Sequence, residues 1–284
     1  ANPNKNRFDS GRNRFIITNS EPVEQTNVFV GITDETFNEE SQMIYAYRTE
    51  TGRRSANEDY CSIPAENEKP IAVVADGMGG HRAGNIASCI AVESIAKYVE
   101  TSTITNTRML LQHAISYANK QIFDAAQQDE SCAGMGTTVV MAYVRPQRFT
   151  FANVGDSRLY LFNGESLKLI TRDHSFVEEL VRSGVITREQ AETHPQRNIL
   201  MRAVGTSPFI KADTGIVEWK DGDIIMLCSD GLHGSMNISL AEEILSSESN
   251  LLTACDRLTD AALAAGSSDN VTVVLVKNAG GIGA

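Results

Sequence analysis

The order of the strand-like and helix-like segments constrains the fold of this chain most strongly. Strand patterns at 43–48, 60–63 and 71–75 precede two amphipathic helix patterns at 84–99 and 107–127. Further strand patterns follow at 137–144, 148–153, 158–162, 214–218 and 223–228, and two short helix patterns, at 239–247 and 251–265, precede a last strand at 271–276. The chain lacks the steady strand–helix alternation of a doubly wound fold. The order predicts sheets covered by layers of helices.

Two connecting segments carry clear local signals. Asn163-Gly164 follows the strand pattern at 158–162 and predicts a hairpin turn. Residues 174–195 are polar, with a narrow apolar stripe that includes Phe176, Val177 and Leu180, and predict a surface helix.

Composition limits the classes of protein that the chain can belong to. No apolar run approaches the roughly 20 residues of a membrane helix, and residues 1–20 lack the apolar core of a secretion signal. The formal net charge of -11 argues against nucleic acid as a partner. The 5 cysteines are scattered without a C-x-x-C motif, which favours a reducing compartment. We therefore expect a cytoplasmic protein that binds neither membrane nor nucleic acid.

The first part of the chain differs from the rest. Residues 1–41 are polar and predict an N-terminal extension or linker, although their short apolar pieces are also compatible with strands. Regular periodicity begins at residue 42, and we expect one catalytic domain over 42–278.

Acidic residues stand at the ends of several apolar strand patterns, next to residues that let the chain turn. They are Glu58-Asp59, Asp76, Asp230 and Asp269. A carboxylate just past a buried strand is held rigidly, and a following glycine allows a sharp turn. Each Asp-Gly pair alone is typical of an ordinary turn. Together they predict an all-oxygen site for a hard cation such as Mg²⁺ or Mn²⁺.

Several short motifs occur in a fixed order along the chain. They are Arg54, Asn57-Glu58-Asp59, Asp76-Gly77-Met78-Gly79-Gly80, Gly134-Met135-Gly136-Thr137-Thr138, Gly155-Asp156-Ser157-Arg158, Ser229-Asp230-Gly231 and Asp269-Asn270. In this order they resemble the PPM family, the type 2C metal-dependent protein phosphatases, in its bacterial form. The resemblance covers about residues 42–277. It implies an α+β fold, an α-β-β-α sandwich in which two mostly antiparallel sheets are flanked by helices, with a metal site at one end between the sheets.

The resemblance implies a two-metal site. Asp76 matches the aspartate that bridges both ions, and the Gly77 carbonyl matches a ligand of one of them. Asp230 and Asp269 match ligands of the other ion. The implied cofactors are Mn²⁺ or Mg²⁺, as two tightly bound ions with a weaker third.

Further positions match the surroundings of that site. Glu58 and Asp59 match an acidic pair that acts on the metals directly or through water, and Asp156 matches a ligand of the third ion. Arg54 matches the arginine that binds the substrate phosphate, for which its forked guanidinium is suited. Residues 175–213 match a flap beside the active site that contacts substrates.

The implied reaction is direct hydrolysis without a covalent intermediate. A hydroxide that bridges the two ions attacks phosphorus in line with the leaving Ser or Thr oxygen. The metals and Arg54 neutralise the charge on the phosphate oxygens.

The chain departs from the family pattern at two places. Many members have a histidine two residues after the bridging aspartate as a proposed general acid, whereas this chain has Met78. His81 is the nearest substitute catalytic residue, although it is equally compatible with a solvent-facing position at a helix start. The acid that usually supports the third metal is replaced by Gly234, preceded by His233.

The expected function is therefore serine/threonine protein phosphatase, acting on phosphorylated proteins and opposing a cognate Ser/Thr kinase, as a monomeric catalytic domain. A phosphatase of an anti-sigma antagonist and an inactive scaffold with the same fold are the alternatives. A dinucleotide-binding oxidoreductase fits poorly, because Gly77-Met78-Gly79-Gly80-His81-Arg82 does not satisfy G-x-G-x-x-G.

Overall fold

Two antiparallel sheets form the centre of the fold. The structure, a computed structural model, describes residues 43–64, 68–79 and 83–280. Sheet A has the strand order β1-β11-β10-β7-β8, formed by β1 (Met43–Glu50), β7 (Arg158–Phe162), β8 (Leu167–Leu169), β10 (Ile224–Cys228) and β11 (Val271–Asn278). Sheet B has the order β2-β3-β5-β6-β9, formed by β2 (Asp59–Ser62), β3 (Ile71–Met78), β5 (Val139–Arg145), β6 (Arg148–Val154) and β9 (Asp213–Glu218), with the short β4 (Gly136–Thr137) beside β3.

Helices cover the outer face of each sheet. Helices α1 (Ala83–Thr101) and α2 (Thr107–Gln128) pack on sheet B. Helices α6 (Ile238–Ser247) and α7 (Leu251–Ala264) pack on sheet A, and the short α5 (Asp230–His233) precedes them. Between β8 and β9 lie α3 (Phe176–Arg182) and α4 (Arg188–Glu192). These layers form the expected α-β-β-α sandwich.

The side-chain alternation of β3 explains why its sequence is continuously apolar. Ile71, Val73 and Ala75 pack against the helices on the outer face of sheet B. Ala72 and Val74 point the other way and pack between the two sheets. Successive side chains of a strand point to opposite faces, so a strand that is covered on both sides needs apolar residues at every position. The carboxylate of Asp76 follows this rigid strand.

Two connecting segments differ from the sequence prediction. The segment at 174–195 forms α3 and α4 instead of one helix, because Gly184 takes a left-handed φ of 74° after α3 and Thr187 starts α4 with a capping box. The predicted strand at 137–144 is interrupted at Thr138, whose hydroxyl takes the Asp76 amide as a donor in place of a backbone carbonyl.

Parts of the sequence prediction lie outside the described residues. They are the N-terminal extension at 1–41 and the candidate general acid His81. Within 43–64, 68–79 and 83–280, no helix combines the length and the apolar character that a membrane crossing requires.

Candidate active site

The loops that carry the predicted acidic residues meet at one end of the two sheets. Asp59 and Asp76 are direct partners in the register of β2 and β3. Asp230 follows β10 and Asp269 precedes β11. Because these strands are antiparallel neighbours, both residues lie at the same end of the strands of sheet A. Asp156 precedes β7, the other antiparallel neighbour of β10, and reaches the same end. Topology alone therefore brings together acids that are far apart in sequence.

An open cavity of about 480 Å³ lies at this end of the molecule. Its lining includes the predicted site residues Arg54, Glu58, Asp76, Gly77, Asp156, Asp230 and Asp269. Asn198 and Leu200 of the flap segment also line it. Asp59 is not among the lining residues and is 2% exposed. The structure thus gathers the predicted residues that it describes around one cavity, with Asp59 buried beside them.

Asp59 is held by hydroxyl groups from sheet A. Ser229 Oγ donates a hydrogen bond of 2.7 Å to Asp59 Oδ2, and the Thr272 side chain also hydrogen-bonds this carboxyl. Burial raises the pKa of Asp59 to about 7, against the opposing effect of these hydrogen bonds. Asp59 therefore links the two sheets directly beneath the site.

Gly77 allows the backbone to pass unusually close to its neighbours. A Cβ atom at this position would lie 2.0 Å from the carbonyl oxygen of Gly84 and 2.7 Å from that of Glu58. The Gly77 amide donates to the Glu58 carbonyl at 3.0 Å. Any side chain at position 77 would push apart the segments that carry Glu58 and Asp76.

The Thr137-Thr138 pair fixes the backbone of Asp76. Thr137 Oγ1 and the Thr138 amide both donate to the Asp76 carbonyl, each at 2.8 Å. The Asp76 amide donates to Thr138 Oγ1 at 3.0 Å, and that hydroxyl lies 2.7 Å from Ser157 Oγ. The motif Gly134-Met135-Gly136-Thr137-Thr138 carries no predicted role in the sequence. Its role in the structure is to position Asp76 relative to the loop of Asp156.

The carboxylates of the site are destabilised in their charged form. Burial and then the carboxylates of Asp59 and Asp230 raise the pKa of Asp76 well above its usual range. Burial and the Asp230 carboxylate raise the pKa of Asp156 to about 7. The pKa of Asp230 is raised by burial and by Asp269, and its buried Oδ1 has no hydrogen-bond partner in the described structure. An oxygen without a hydrogen-bond partner among repelling carboxylates fits a divalent cation. A cation would give the oxygen a ligand partner and would offset the repulsion between the carboxylates.

Both carboxylate oxygens of Asp269 accept hydrogen bonds from neighbouring groups. Arg54 Nη2 donates to Asp269 Oδ2 at 2.7 Å, and the Asn270 amide donates to Asp269 Oδ1 at 2.8 Å. Within the described residues, no three Asp, Glu, His or Cys side chains are already arranged around one point that could hold an ion. The donor chemistry of the cavity fits a metal, whereas the Asp269 carboxylate is paired with Arg54 in this structure.

A half-buried histidine, to which the sequence assigns no role, supports Asp156. His233 Nε2 lies 3.0 Å from the Asp156 carbonyl oxygen, and because a carbonyl only accepts, this nitrogen carries the proton. Burial lowers the pKa of His233 to about 4 and keeps the ring neutral. At position 234, a Cβ atom would lie 2.8 Å from the Asp230 carbonyl oxygen. An acid at this position, which the family resemblance leads us to expect, would therefore require a small shift of the backbone around Asp230.

A second histidine ties the flap segment to the loop of Asp156. The Gly155 amide donates to His174 Nδ1 at 3.2 Å, and the His174 amide donates to the Gly155 carbonyl at 2.9 Å. His174 Nε2 lies 3.2 Å from Asp213 Oδ2, at the other end of the flap. Because Nδ1 accepts, the proton is on Nε2 and points to Asp213. No motif in the sequence revealed this contact.

Comparison with known proteins agrees with these observations. The family model described as "Protein phosphatase 2C" matches residues 48–272. A serine/threonine phosphatase, stp, of Listeria innocua is 40% identical over 237 residues, which are 81% of this chain and 94% of the relative.

Solved structures show the same fold. The serine/threonine phosphatase Stp1 of Staphylococcus aureus has a TM-score of 0.79 and 34% identity, covering 87% of this chain and 99% of that one. The catalytic domain of the serine/threonine phosphatase PstP, crystallised with 2 manganese ions, has a TM-score of 0.74 and 32% identity, covering 83% of this chain and 97% of that one. The fold class and the family resemblance predicted from the sequence are confirmed. The chain belongs to the protein phosphatase 2C family of metal-dependent phosphatases.

Proposed function

We propose that this chain hydrolyses phosphoserine and phosphothreonine on proteins, with divalent metal ions as cofactors. The observation that carries the proposal is that the guanidinium of Arg54 and the carboxylates of Asp76, Asp230 and Asp269 share one open cavity. Phosphoryl transfer needs charge neutralisation at the phosphate oxygens and divalent ions held by carboxylates. Relatives that are named serine/threonine phosphatases support this substrate class.

The acids of the cavity hold Mn²⁺ or Mg²⁺, two ions tightly and a third weakly. Asp76 would be a ligand of both tight ions, the Gly77 carbonyl a ligand of one, and Asp230 and Asp269 ligands of the other. Glu58 and Asp59 complete their surroundings, directly or through water. Asp156 holds the third ion. When bound, the ions supply an activated water and positive charge at the phosphate. The manganese-bound PstP structure supports the choice of metal.

Arg54 binds the phosphate group of the substrate. Its side chain is 57% exposed and already lies against a carboxylate, so it is poised to accept an oxyanion. A guanidinium can pair with two oxygens of one phosphate, which orients the phosphorus atom as well as neutralising charge. If the Asp269 carboxylate binds a metal ion, the Arg54 guanidinium would lose this partner and become free to bind the substrate phosphate.

The leaving oxygen needs a proton, and the cavity residue in the usual position of the general acid cannot give one. Met78 lines the cavity and its thioether carries no proton. His81 is the candidate that the sequence offers for this role. His233 is not available for it, because its proton is donated to the Asp156 carbonyl.

The catalytic domain extends over 42–278, with the flap at 175–213 contacting the phosphoprotein. The positions of Asn198 and Leu200 in the cavity lining support that role of the flap. The family match over 48–272 supports the domain bounds, and 1–41 is an extension outside the catalytic unit. We further propose that the enzyme works as a monomer in the cytoplasm, opposes a Ser/Thr kinase and does not bind nucleic acid.

Release of inorganic phosphate from matched peptides tests the proposal. The purified chain is treated with EDTA, dialysed, and assayed on a phosphothreonine peptide and on the same peptide with phosphotyrosine. We expect no turnover after EDTA, recovery with Mn²⁺ or Mg²⁺, and at least about a tenfold preference in kcat/KM for phosphothreonine. Turnover that survives EDTA would contradict the metal requirement. A preference for phosphotyrosine would contradict the substrate class.

A further inference from the structure

The side-chain amide of Asn270 joins both ends of the loop that carries Arg54. Its Nδ2 group donates to the Thr51 carbonyl and to the Ala56 carbonyl, each at 2.9 Å. Its Oδ1 atom accepts the Glu58 amide at 2.9 Å. One side chain thus satisfies backbone groups at three positions between β1 and β2. Such use of a whole amide is typical of a group that fixes a loop in one conformation.

The loop has little else to hold it. The hydrogen bonds that we find between residues 51–56 and the rest of the described chain involve Asn270 or the Arg54 side chain. Asn270 itself is 5% exposed and sits immediately before β11, so its backbone is anchored in sheet A. An unpaired carbonyl at Thr51 or Ala56 would turn to water, and the loop would lose its fixed position.

Backbone packing places the same loop directly against Asp269. Gly52 has a left-handed φ of 62°, and a Cβ atom there would lie 2.2 Å from the Asp269 carbonyl oxygen. The loop therefore packs against the Asp269 backbone at Gly52. It is also hydrogen-bonded to the Asn270 side chain at Thr51 and Ala56, on either side of Arg54. The distance of 2.7 Å between the Arg54 guanidinium and the Asp269 carboxylate depends on this arrangement.

We propose that Asn270 is a positioning residue for phosphate binding, which acts by holding the loop of residues 51–56 so that the Arg54 guanidinium stays at the cavity. This inference rests on the proposed function, in which Arg54 binds the substrate phosphate. Asn270 itself lines the cavity, but its side-chain amide is occupied by the backbone of Thr51, Ala56 and Glu58. Its loss removes a preorganised cation, so the cost falls on substrate binding more than on the turnover of bound substrate.

The test compares two asparagines of the same strand region. Asn270→Asp keeps the size and the acceptor for the Glu58 amide but loses both donors to the loop. Asn278→Asp is the matched control, because Asn278 is also buried and donates to the Pro146 carbonyl at 2.7 Å, at the far end of β11. We expect Asn270→Asp to raise KM for a phosphothreonine peptide and the inhibition constant of inorganic phosphate by about 10-fold or more, as the loss of two hydrogen bonds implies. Asn278→Asp should change both by less than about 3-fold.

A double-mutant cycle separates loop positioning from a merely structural role. If Asn270 acts through Arg54, the variant Arg54→Ala/Asn270→Asp should lose no more than about 3-fold beyond Arg54→Ala alone. Hydrogen exchange of the metal-free protein provides a readout without catalysis, and amides within 51–56 should exchange faster in Asn270→Asp than in Asn278→Asp. Fully additive losses, or unchanged exchange of this loop, would overturn the inference.

Two further outcomes keep the inference and the proposed function distinguishable. If Arg54→Ala retains normal KM, the assigned phosphate role of Arg54 is wrong, and so is the inference built on it, whatever the exchange data show. If Asn270→Asp fails to fold, Gly52→Ala disturbs the same loop from its other side and should raise KM and the phosphate inhibition constant alike. Normal constants in that folded variant would overturn the inference.

Discussion

The guanidinium of Arg54 lies 2.7 Å from Oδ2 of Asp269, although 215 residues separate them in sequence. The contact pairs the predicted phosphate-binding residue with a predicted metal ligand. The nearby Asp269 carboxylate raises the pKa of Arg54, so the guanidinium remains charged. In this structure the ion pair therefore competes with two proposed contacts, that of Asp269 with a metal ion and that of Arg54 with the substrate phosphate.

Replacing Arg54 by alanine should separate those roles. We expect KM for a phosphothreonine peptide to rise by about 10-fold or more, because a charge-assisted pair of hydrogen bonds to phosphate is lost. Mn²⁺ affinity, measured by calorimetry, should stay the same or increase, since Asp269 no longer has a competing cation. Arg53→Ala is the matched control and should leave KM unchanged. Weaker Mn²⁺ binding in Arg54→Ala would mean that the arginine supports the metal site.

Metal binding should release protons near neutral pH. Burial raises the pKa of Asp59 and of Asp156 to about 7, so both carboxyls are largely protonated at about pH 6. A cation must displace these protons. Calorimetry with Mn²⁺ in two buffers of different ionisation enthalpy counts them. We expect greater net proton release at about pH 6 than at about pH 8.5, because Asp59 and Asp156 are already ionised at the higher pH. Equal release at both values would contradict the shifted pKa values.

The same shifts predict how stability depends on pH. A carboxyl whose pKa is raised on folding adds stability below its unfolded pKa and loses it as pH rises through its folded pKa. The metal-free protein should therefore lose unfolding free energy from Asp59 and Asp156 between about pH 4 and about pH 7. Mn²⁺ should offset that loss. The increase in Tm on adding Mn²⁺ should be larger at about pH 8 than at about pH 6. The opposite order would refute this linkage.

Gly77→Ala tests the close backbone approach beside the site. The added methyl group would meet the Gly84 carbonyl at 2.0 Å, so we expect a loss of about 3 kcal/mol in the free energy of unfolding and of most activity. Gly164→Ala is the control for conformational strain, because Gly164 has φ 90° but its Cβ would meet nothing within 4 Å. It should cost only about 1 kcal/mol and spare activity. Similar effects of the two substitutions in chemical denaturation would show that the collision is unimportant.

Asp156→Ala tests the weak third site. Asp156 lines the cavity but lacks the usual partner acid, since position 234 is glycine, and fewer anionic ligands bind a cation more weakly. Calorimetry should show two tight Mn²⁺ sites in both wild type and variant, with lower turnover in the variant. Loss of a tight site, or turnover equal to wild type, would show that the assignment of Asp156 is wrong.

Much of the fold could be predicted because its periodic patterns are local. The helix pattern at 84–99 corresponds to Ala83–Thr101, and the strand pattern at 223–228 to Ile224–Cys228. The flap was less predictable. The polar character of 174–195 suited one surface helix, but Gly184 ends α3 with a left-handed φ, and the segment later returns so that Leu200 bridges Ser175. Such closure is not encoded in local periodicity.

The candidate site divides in the same way. An acidic residue directly after an apolar strand pattern is visible in the sequence, so Asp76 and Asp230 could be identified as candidate site residues. The groups that hold them act over long distances in the chain. His174 meets Gly155, and Asn270 meets Thr51, through contacts that form only after β7 has paired with β8 and β1 with β11. A local sequence pattern does not predict which distant backbone carbonyl a buried side-chain amide will hydrogen-bond.

The most direct test of the account is phosphate release from a phosphothreonine peptide by Asp76→Asn at saturating Mn²⁺. Asp76 is the one acid assigned to both tight ions, so turnover should fall at least about a thousand-fold. The metal-free variant should be at least as stable as wild type, since the substitution removes a buried carboxyl whose charged form the neighbouring acids disfavour. A folded Asp76→Asn protein with substantial turnover would contradict the two-metal mechanism.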